Sequence, residues 1–206
     1  AKKDAANTLT TAGVVDNLVV NGGTGKDTYT IGTGAHKTVT IDLGDSLGTD
    51  LDKVDFTDVT ATGANSGSHK GLIINLGGQA TVDGDTIAAN SAVQYFDAAA
   101  ADAKVDTTGT AYSILNVESV VGTKSNDYII ANGSGSTING GNGDDFIVAG
   151  AGQDTLTGGA GADTFVFGIG TSGLTTATID KITDFAKADD SLKTGEAGSV
   201  TGTAIN

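Results

Sequence analysis

The C-terminal half of the chain carries an apolar residue at every ninth position. The seven residues of this series are Val120, Ile129, Ile138, Ile147, Leu156, Phe165 and Leu174. The positions between them are rich in Gly, Asp, Ser and Thr, which favour turns. Successive side chains of a strand point to opposite faces, so a triplet with a central apolar residue directs one side chain into a core. The pattern predicts very short strands separated by six-residue turns.

Three contiguous blocks of this series follow the consensus G-G-x-G-x-D-x-U-x, in which U is a large apolar residue. They are GGNGDDFIV at 140–148, AGAGQDTLT at 149–157 and GGAGADTFV at 158–166. Ala149 is their only departure at a defined position. A fourth full match, GGTGKDTYT at 22–30, stands alone near the N-terminus and out of phase with the other three.

This pattern resembles the RTX calcium-binding nonapeptide repeat over residues 113–175. The resemblance implies an all-β fold, a parallel β-roll that is a calcium-bound β-solenoid. Two repeats form one coil of such a roll, so turns 18 residues apart stack on the same edge. One edge then carries Asp127, Asp145 and Asp163, and the other carries Glu118, Ser136, Asp154 and Ser172.

Calcium fits this arrangement, because it accepts flexible coordination by oxygen atoms alone. Backbone carbonyls and the sixth-position Asp of stacked turns supply those oxygens, and Gly permits the positive φ that such turns need. The candidate metal-site residues are Asp127, Gly140, Gly143, Asp145, Gly150, Gly152, Asp154, Gly158, Gly161, Asp163, and, near the N-terminus, Asp27 and Asp45. The competing interpretation is a metal-free, Gly-rich β-helix whose Asp residues serve only in turns.

Four segments follow from these patterns. Residues 1–57 are an N-terminal β-solenoid part, 58–112 an irregular joining region, 113–175 the RTX β-roll, and 176–206 a C-terminal cap or tail. Within the irregular insert, GLIINLGG at 71–78 predicts a buried strand that ends in a Gly turn, and the Ala-rich stretch 93–104 favours a short helix or a helical loop.

The roll is expected to end after Leu174. The next block of the frame places Lys181 and Thr183 where Asp and the apolar residue belong. The segment 178–192 resembles the stretch that often caps RTX rolls, although an ordinary amphipathic end segment explains it equally well.

The net charge of the chain limits the classes of partner that it can bind. It has 11 Lys and no Arg against 25 acidic residues, nearly all of them Asp, and a formal net charge of −14. Nucleic acid and anionic membranes need a basic face, so this balance argues against both and favours cations. The chain has no Cys, which excludes disulfides and zinc-thiolate sites, and no apolar stretch long enough for a membrane span.

Catalysis finds little support in the sequence. The two histidines, His36 and His69, lie in no HExxH motif, and there is neither a GxSxG motif nor a Cys nucleophile. The paired Asp residues fall in the repeat frame, where calcium binding explains them better than glycosidase chemistry. We therefore expect that the protein is not an enzyme.

Two functions remain open. The first is an extracellular structural protein, a surface-layer or adhesin component, that folds and assembles on binding calcium. The second is a calcium-dependent folding and export module of a type I secreted enzyme or toxin. The resemblance implies a secreted protein, extracellular or on the surface of a Gram-negative bacterium. Expected partners are calcium ions, further copies of the chain, and cell-surface polysaccharide or protein.

Overall fold

The computed structural model describes residues 8–11, 17–33, 38–44, 51–60, 69–82, 84–98, 102–105, 109–168 and 179–194. Every regular element among these residues is a β-strand. The strands are β1 Thr8–Thr10, β2 Leu18–Gly23, β3 Thr28–Thr30, β4 Thr38–Gly44, β5 Lys53–Asp55, β6 His69–Asn75, β7 Ala80–Val82, β8 Asp85–Ile87, β9 Ser91–Ala98, β10 Asp102–Val105, β11 Ala111–Leu115, β12 Ser119–Val121, β13 Tyr128–Ile130, β14 Thr137–Asn142, β15 Phe146–Val148, β16 Thr155–Ala160, β17 Thr164–Phe167, β18 Lys181–Ile182 and β19 Ser191–Thr194. No helix in these ranges has the length and apolarity that crossing a membrane requires.

The roll consists of two facing sheets between which the chain alternates. Sheet A has the strand order β1-β3-β5-β12-β14-β16-β18, and sheet B has the order β19-β17-β15-β13-β6-β9-β11-β4-β2 with β10 beside β9. Parallel pairing joins Thr137 to Thr155 in sheet A and Phe146 to Thr164 in sheet B. Both steps span 18 residues, so the predicted all-β parallel roll with two repeats per coil is confirmed.

The apolar series forms the core between the sheets. Ile129, Ile138, Ile147, Leu156 and Phe165 are each fully buried. They belong to one continuous cluster that reaches the N-terminal coils through Tyr29, Ile41 and Phe56. Each short strand contributes one central side chain to this core, as the nine-residue period predicts, while Leu174 lies outside the described residues.

The joining region adds strands to sheet B and none to sheet A, and its strands β7 and β8 pair only with each other. In sheet A, β5 pairs directly with β12, whereas in sheet B the strands β6, β9 and β11 lie between β13 and β4. Strand β9 runs antiparallel to both β6 and β11. Sheet B is therefore wider than sheet A at this level, and the division of the chain into four segments stays a prediction.

The helix expected at 93–104 is wrong. Residues 93–98 lie in β9, and 102–105 form β10, which pairs antiparallel with β9. Ladder hydrogen bonds on both sides of β9, together with the burial of Ala92 and Gln94, outweigh the helix propensity of the Ala residues. The strand expected within 71–78 is confirmed as β6, which ends at Asn75 before the bend at Gly77 and Gly78.

The roll also continues past its predicted end. Strand β18 pairs parallel with β16, and β19 pairs parallel with β17. Each step of this last coil spans 26 or 27 residues instead of 18, since Thr155 pairs with Lys181 and Thr164 pairs with Ser191. A frame of nine residues cannot follow a longer turn, which is why the sequence places the end of the roll too early.

Candidate metal-binding edges of the roll

Four Asp residues form what we call the first edge, each directly before a strand of sheet B. They are Asp127, Asp145, Asp163 and Asp190. The backbone N–H of Asp127 donates to Oδ1 of Asp145 over 2.8 Å, and the N–H of Asp145 donates to Oδ1 of Asp163 over 2.9 Å. Asp163 repeats this bond with Asp190 at 3.0 Å. Each carboxylate is therefore fixed by the turn of the preceding coil.

The second edge lies before the strands of sheet A. Its members in order along the sheet are Asp27, Asp52, Glu118, Ser136, Asp154 and Asp180. The same bond recurs, because the N–H of Asp154 donates to Oδ1 of Asp180 over 2.9 Å and that of Asp27 donates to Oδ1 of Asp52 over 2.7 Å. A hydroxyl stands in place of a carboxylate at Ser136.

Sequence reasoning missed three of these acids. Asp180 and Asp190 follow the long last turns, and Asp52 stands where the 18-residue rule points to Asp45. Strands β3 and β5 pair at a step of 25 residues, since Thr28 lies opposite Lys53, so Asp27 stacks on Asp52. Asp45 and Ser172 lie outside the described residues. An Asp just before a triplet with a central apolar residue, as in D-K-V-D, is the signal that finds such positions.

The predicted glycines shape the space beside the carboxylates. A Cβ atom at Gly140 would overlap Oδ2 of Asp145 and the carbonyl oxygen of Gly158. At Gly158 it would overlap Oδ2 of Asp163. At both glycines a carboxylate oxygen occupies the place of a side chain, and at Gly140 a backbone carbonyl oxygen lies there as well, so only glycine leaves room.

The other predicted glycines serve the turn itself. Gly143, Gly152 and Gly161 adopt positive φ values of 112°, 92° and 139°, which side chains disfavour. Gly150 has no room for a Cβ atom, because it would overlap the carbonyl oxygen of Asn132 in the preceding coil. These residues permit close stacking of successive turns.

The first-edge carboxylates carry an electrostatic cost. Burial, together with the neighbouring carboxylates of Asp127 and Asp163, raises the pKa of Asp145 to about 8. Burial raises the pKa of Asp127 to about 7 and that of Asp154 to about 6, and it also raises the pKa of Asp163. The ion pairs Lys53–Asp55 and Lys124–Asp58 involve none of these four groups. Buried charge of one sign needs a cation or protons to offset it.

A divalent cation fits this donor set. Oδ2 of Asp145 is buried without a hydrogen-bond partner. This atom and the carbonyl oxygen of Gly158 both lie where a side chain of residue 140 would be. No three Asp, Glu or His side chains gather at one point in the part of the chain that the structure describes. The oxygens of this edge are therefore two stacked carboxylates together with backbone carbonyls, the hard and flexible donors that calcium prefers.

Replacing Gly140 by Ala should remove calcium binding at the first edge. The new methyl group meets Oδ2 of Asp145 and the carbonyl oxygen of Gly158, so we expect the calcium midpoint of folding to rise by more than about tenfold, or about 1.4 kcal/mol. Gly133→Ala is the matched control, because nothing lies within 4 Å of a Cβ atom there. Calcium titration followed by far-UV circular dichroism measures both. Equal calcium midpoints for Gly140→Ala and Gly133→Ala would contradict a cation site beside Gly140.

Asp145→Ala should raise the calcium midpoint more than Asp154→Ala. Asp145 stacks between two carboxylates, those of Asp127 and Asp163, whereas Asp154 stacks between Ser136 and Asp180. Asp145 can therefore serve two ions that are each completed by a second acid. The same titration compares the two variants. Equal increases in the calcium midpoint would contradict a stronger calcium site at the first edge.

Acid should partly replace calcium. The pKa values of Asp127, Asp145 and Asp154 lie above the ordinary value of 3.8, so the folded chain holds protons that the unfolded chain releases. This contribution to stability is complete below the unfolded pKa and is lost as pH rises to about 8. Metal-free protein should therefore show more β-structure by circular dichroism at pH 5.5 than at pH 8. Asp145→Asn should reduce this pH dependence, and a stronger signal at pH 8 would contradict the prediction.

The comparison with known proteins agrees with this geometry. The family model for the RTX calcium-binding nonapeptide repeat matches residues 139–172 in four copies. The match covers Asp145, Asp154 and Asp163, and no curated protein matches the chain. The chain therefore carries RTX calcium-binding nonapeptide repeats, and these repeats bind calcium.

Proposed function

We propose that this protein is an extracellular structural component, of the surface-layer or adhesin kind, that folds and assembles on binding calcium. The observation that carries the proposal is the first edge, where the carboxylates of Asp127, Asp145 and Asp163 are stacked and buried with at most 2% exposure. Such an arrangement is costly without a cation and favourable with one, so calcium acts as part of the fold.

The energetics support calcium-gated folding. Desolvating an ionised carboxylate costs several kcal/mol in real proteins, and the first edge repeats that cost at successive turns. Calcium that binds only the folded chain adds its binding free energy to stability. Extracellular calcium modules bind at about 10⁻⁴–10⁻³ M, a range that keeps the roll unfolded at low calcium and folded outside the cell.

Assembly is supported by acidic groups outside the two edges. Asp144, Asp184 and Asp189 are exposed on the C-terminal coils. In a chain of net charge −14, copies repel one another until cations neutralise such groups. Calcium held between facing carboxylates of two molecules gives a lateral contact, so we propose self-association as the functional state.

The proposal includes a cellular location and a secretion route for the protein. Proteins with RTX repeats are typically exported, and folding that waits for calcium suits a chain that leaves the cell unfolded. We therefore propose the surface of a Gram-negative bacterium as the location and type I secretion as the route. The assigned residues all serve turns and cation binding, and we propose no catalytic role for them.

Calcium should convert the chain from an expanded monomer to a folded, self-associating protein. In chelator we expect little β-structure by far-UV circular dichroism, and in millimolar calcium a β-spectrum with a midpoint of about 10⁻⁴–10⁻³ M. Light scattering should detect association in calcium but not in magnesium at equal ionic strength, since Mg²⁺ demands a stricter octahedral geometry.

Two outcomes would overturn this proposal separately. An unchanged circular dichroism spectrum after exhaustive chelation would contradict calcium-gated folding. A folded but strictly monomeric protein at high calcium would remove the assembly role, and it would favour the alternative of a folding and export module within a secreted enzyme or toxin.

A further inference from the structure

A groove on the outer face of sheet B has no carboxylate in its lining, and one end of it is formed by turns that lead to the second edge. The two-stranded hairpin β7–β8 rises beside the roll and forms one wall of a cavity of about 600 Å³. The floor and far wall come from β13, β15 and the turns that follow them. We call this cavity the hairpin groove, and all of its lining residues lie in the described part of the chain.

The hairpin wall is held in place by a buried amide. Nδ2 of Asn75 donates to the carbonyl oxygens of Gly78 and Ala88, at 2.7 and 2.9 Å, and Oδ1 of Asn75 accepts the N–H of Gly77 at 3.0 Å. Val82 and Ile87 of the hairpin are buried in a second apolar cluster with Ile73. Both ends of the hairpin are thus fixed, and a ligand would meet a wall that is already formed.

The lining is uncharged, which is unusual on a chain with a net charge of −14. Ile130 and Val148 give it an apolar floor beside Tyr128, whose ring stacks on Phe146 at a centroid distance of 4.7 Å. Gln79 and Asn132 add amide groups. Oδ1 of Asn132 accepts the N–H of Ser134, while its Nδ2 donates no hydrogen bond to any described residue.

The backbone of the floor excludes one class of partner. Strand β13 is paired with β6 and β15, and β15 is paired with β13 and β17, so neither offers a free edge for an added peptide strand. Recognition at the floor therefore depends on apolar contact and side-chain amides. Those groups suit a ligand with apolar ring faces, many hydroxyls and no charge.

We propose that the hairpin groove binds a neutral saccharide unit of a polysaccharide. Tyr128 and Ile130 contact the apolar face of the sugar ring, and the amides of Asn132 and Gln79 hydrogen-bond its hydroxyls. The inference rests on the proposed function, because Asn132 belongs to a turn of the roll: its N–H donates to Oγ of Ser136, whose own N–H donates to Oδ1 of Asp154. Calcium that orders Asp154 also orders this end of the groove.

The test uses the full chain in saturating calcium. Isothermal titration measures binding of cellohexaose, maltohexaose and xylohexaose, with a hyaluronan hexasaccharide as the acidic comparison. Gly78→Phe should fill the groove and weaken binding by more than about tenfold, since nothing lies within 4 Å of a Cβ atom at Gly78 and the fold has room for a side chain. Gly78→Ala is the matched control and should bind like the parent.

A second variant tests the amide. Asn132→Asp keeps the oxygen that accepts the Ser134 N–H but loses the Nδ2 donor and adds a charge, so we expect weaker binding of the neutral hexasaccharides in saturating calcium. Three results would overturn the saccharide site alone. The calcium-folded chain could bind no neutral hexasaccharide, it could bind hyaluronan more tightly, or Gly78→Phe could bind as well as the parent. Loss of calcium-dependent self-association in Gly78→Phe would overturn it in favour of a second copy of the chain. A chain that does not respond to calcium would instead contradict the proposed function.

Discussion

The fold depends on one repeated contact, the hydrogen bond from a backbone N–H to the Asp carboxylate of the next coil. At the first edge this bond links Asp127 to Asp145 and Asp145 to Asp163. It aligns the turns, and it also draws carboxylates together in a buried place where they repel. The same contact therefore sets the register of the roll and creates the need for a cation, which supports the proposed coupling of folding to calcium binding.

At the first edge, glycine matters more for the volume that its missing side chain leaves free than for its backbone flexibility. At Gly140 the missing side chain leaves the position where Oδ2 of Asp145 and the carbonyl oxygen of Gly158 converge. The apolar residue two positions after each Asp, such as Ile147 after Asp145, fixes the other side of the turn by entering the core. Nine residues are then enough to form a turn with closely placed oxygen atoms and one strand with a core contact.

Sequence predicts well what repeats and poorly what interrupts the repeat. The 18-residue stacking, the buried apolar series and the first-edge acids Asp127, Asp145 and Asp163 follow from the frame. Asp52, Asp180 and Asp190 escape it, because longer turns change the spacing while the stacking contact stays the same. The Ala-rich stretch 93–104 favours a helix by composition, yet its residues 93–98 belong to a strand, since pairing partners distant in sequence decide that choice.

The joining region shows how an insertion is tolerated without breaking the roll. Strands β6, β9 and β11 enter sheet B, while sheet A passes directly from β5 to β12. The second edge therefore remains continuous, because the N–H of Asp52 donates to Oε2 of Glu118, 66 residues away, over 3.2 Å. At the first edge, Asp127 instead accepts the N–H of Leu72 from the inserted β6. Both edges thus connect the calcium-binding coils to the rest of the molecule, so ordering of the C-terminal turns also stabilises the insert and the N-terminal coils.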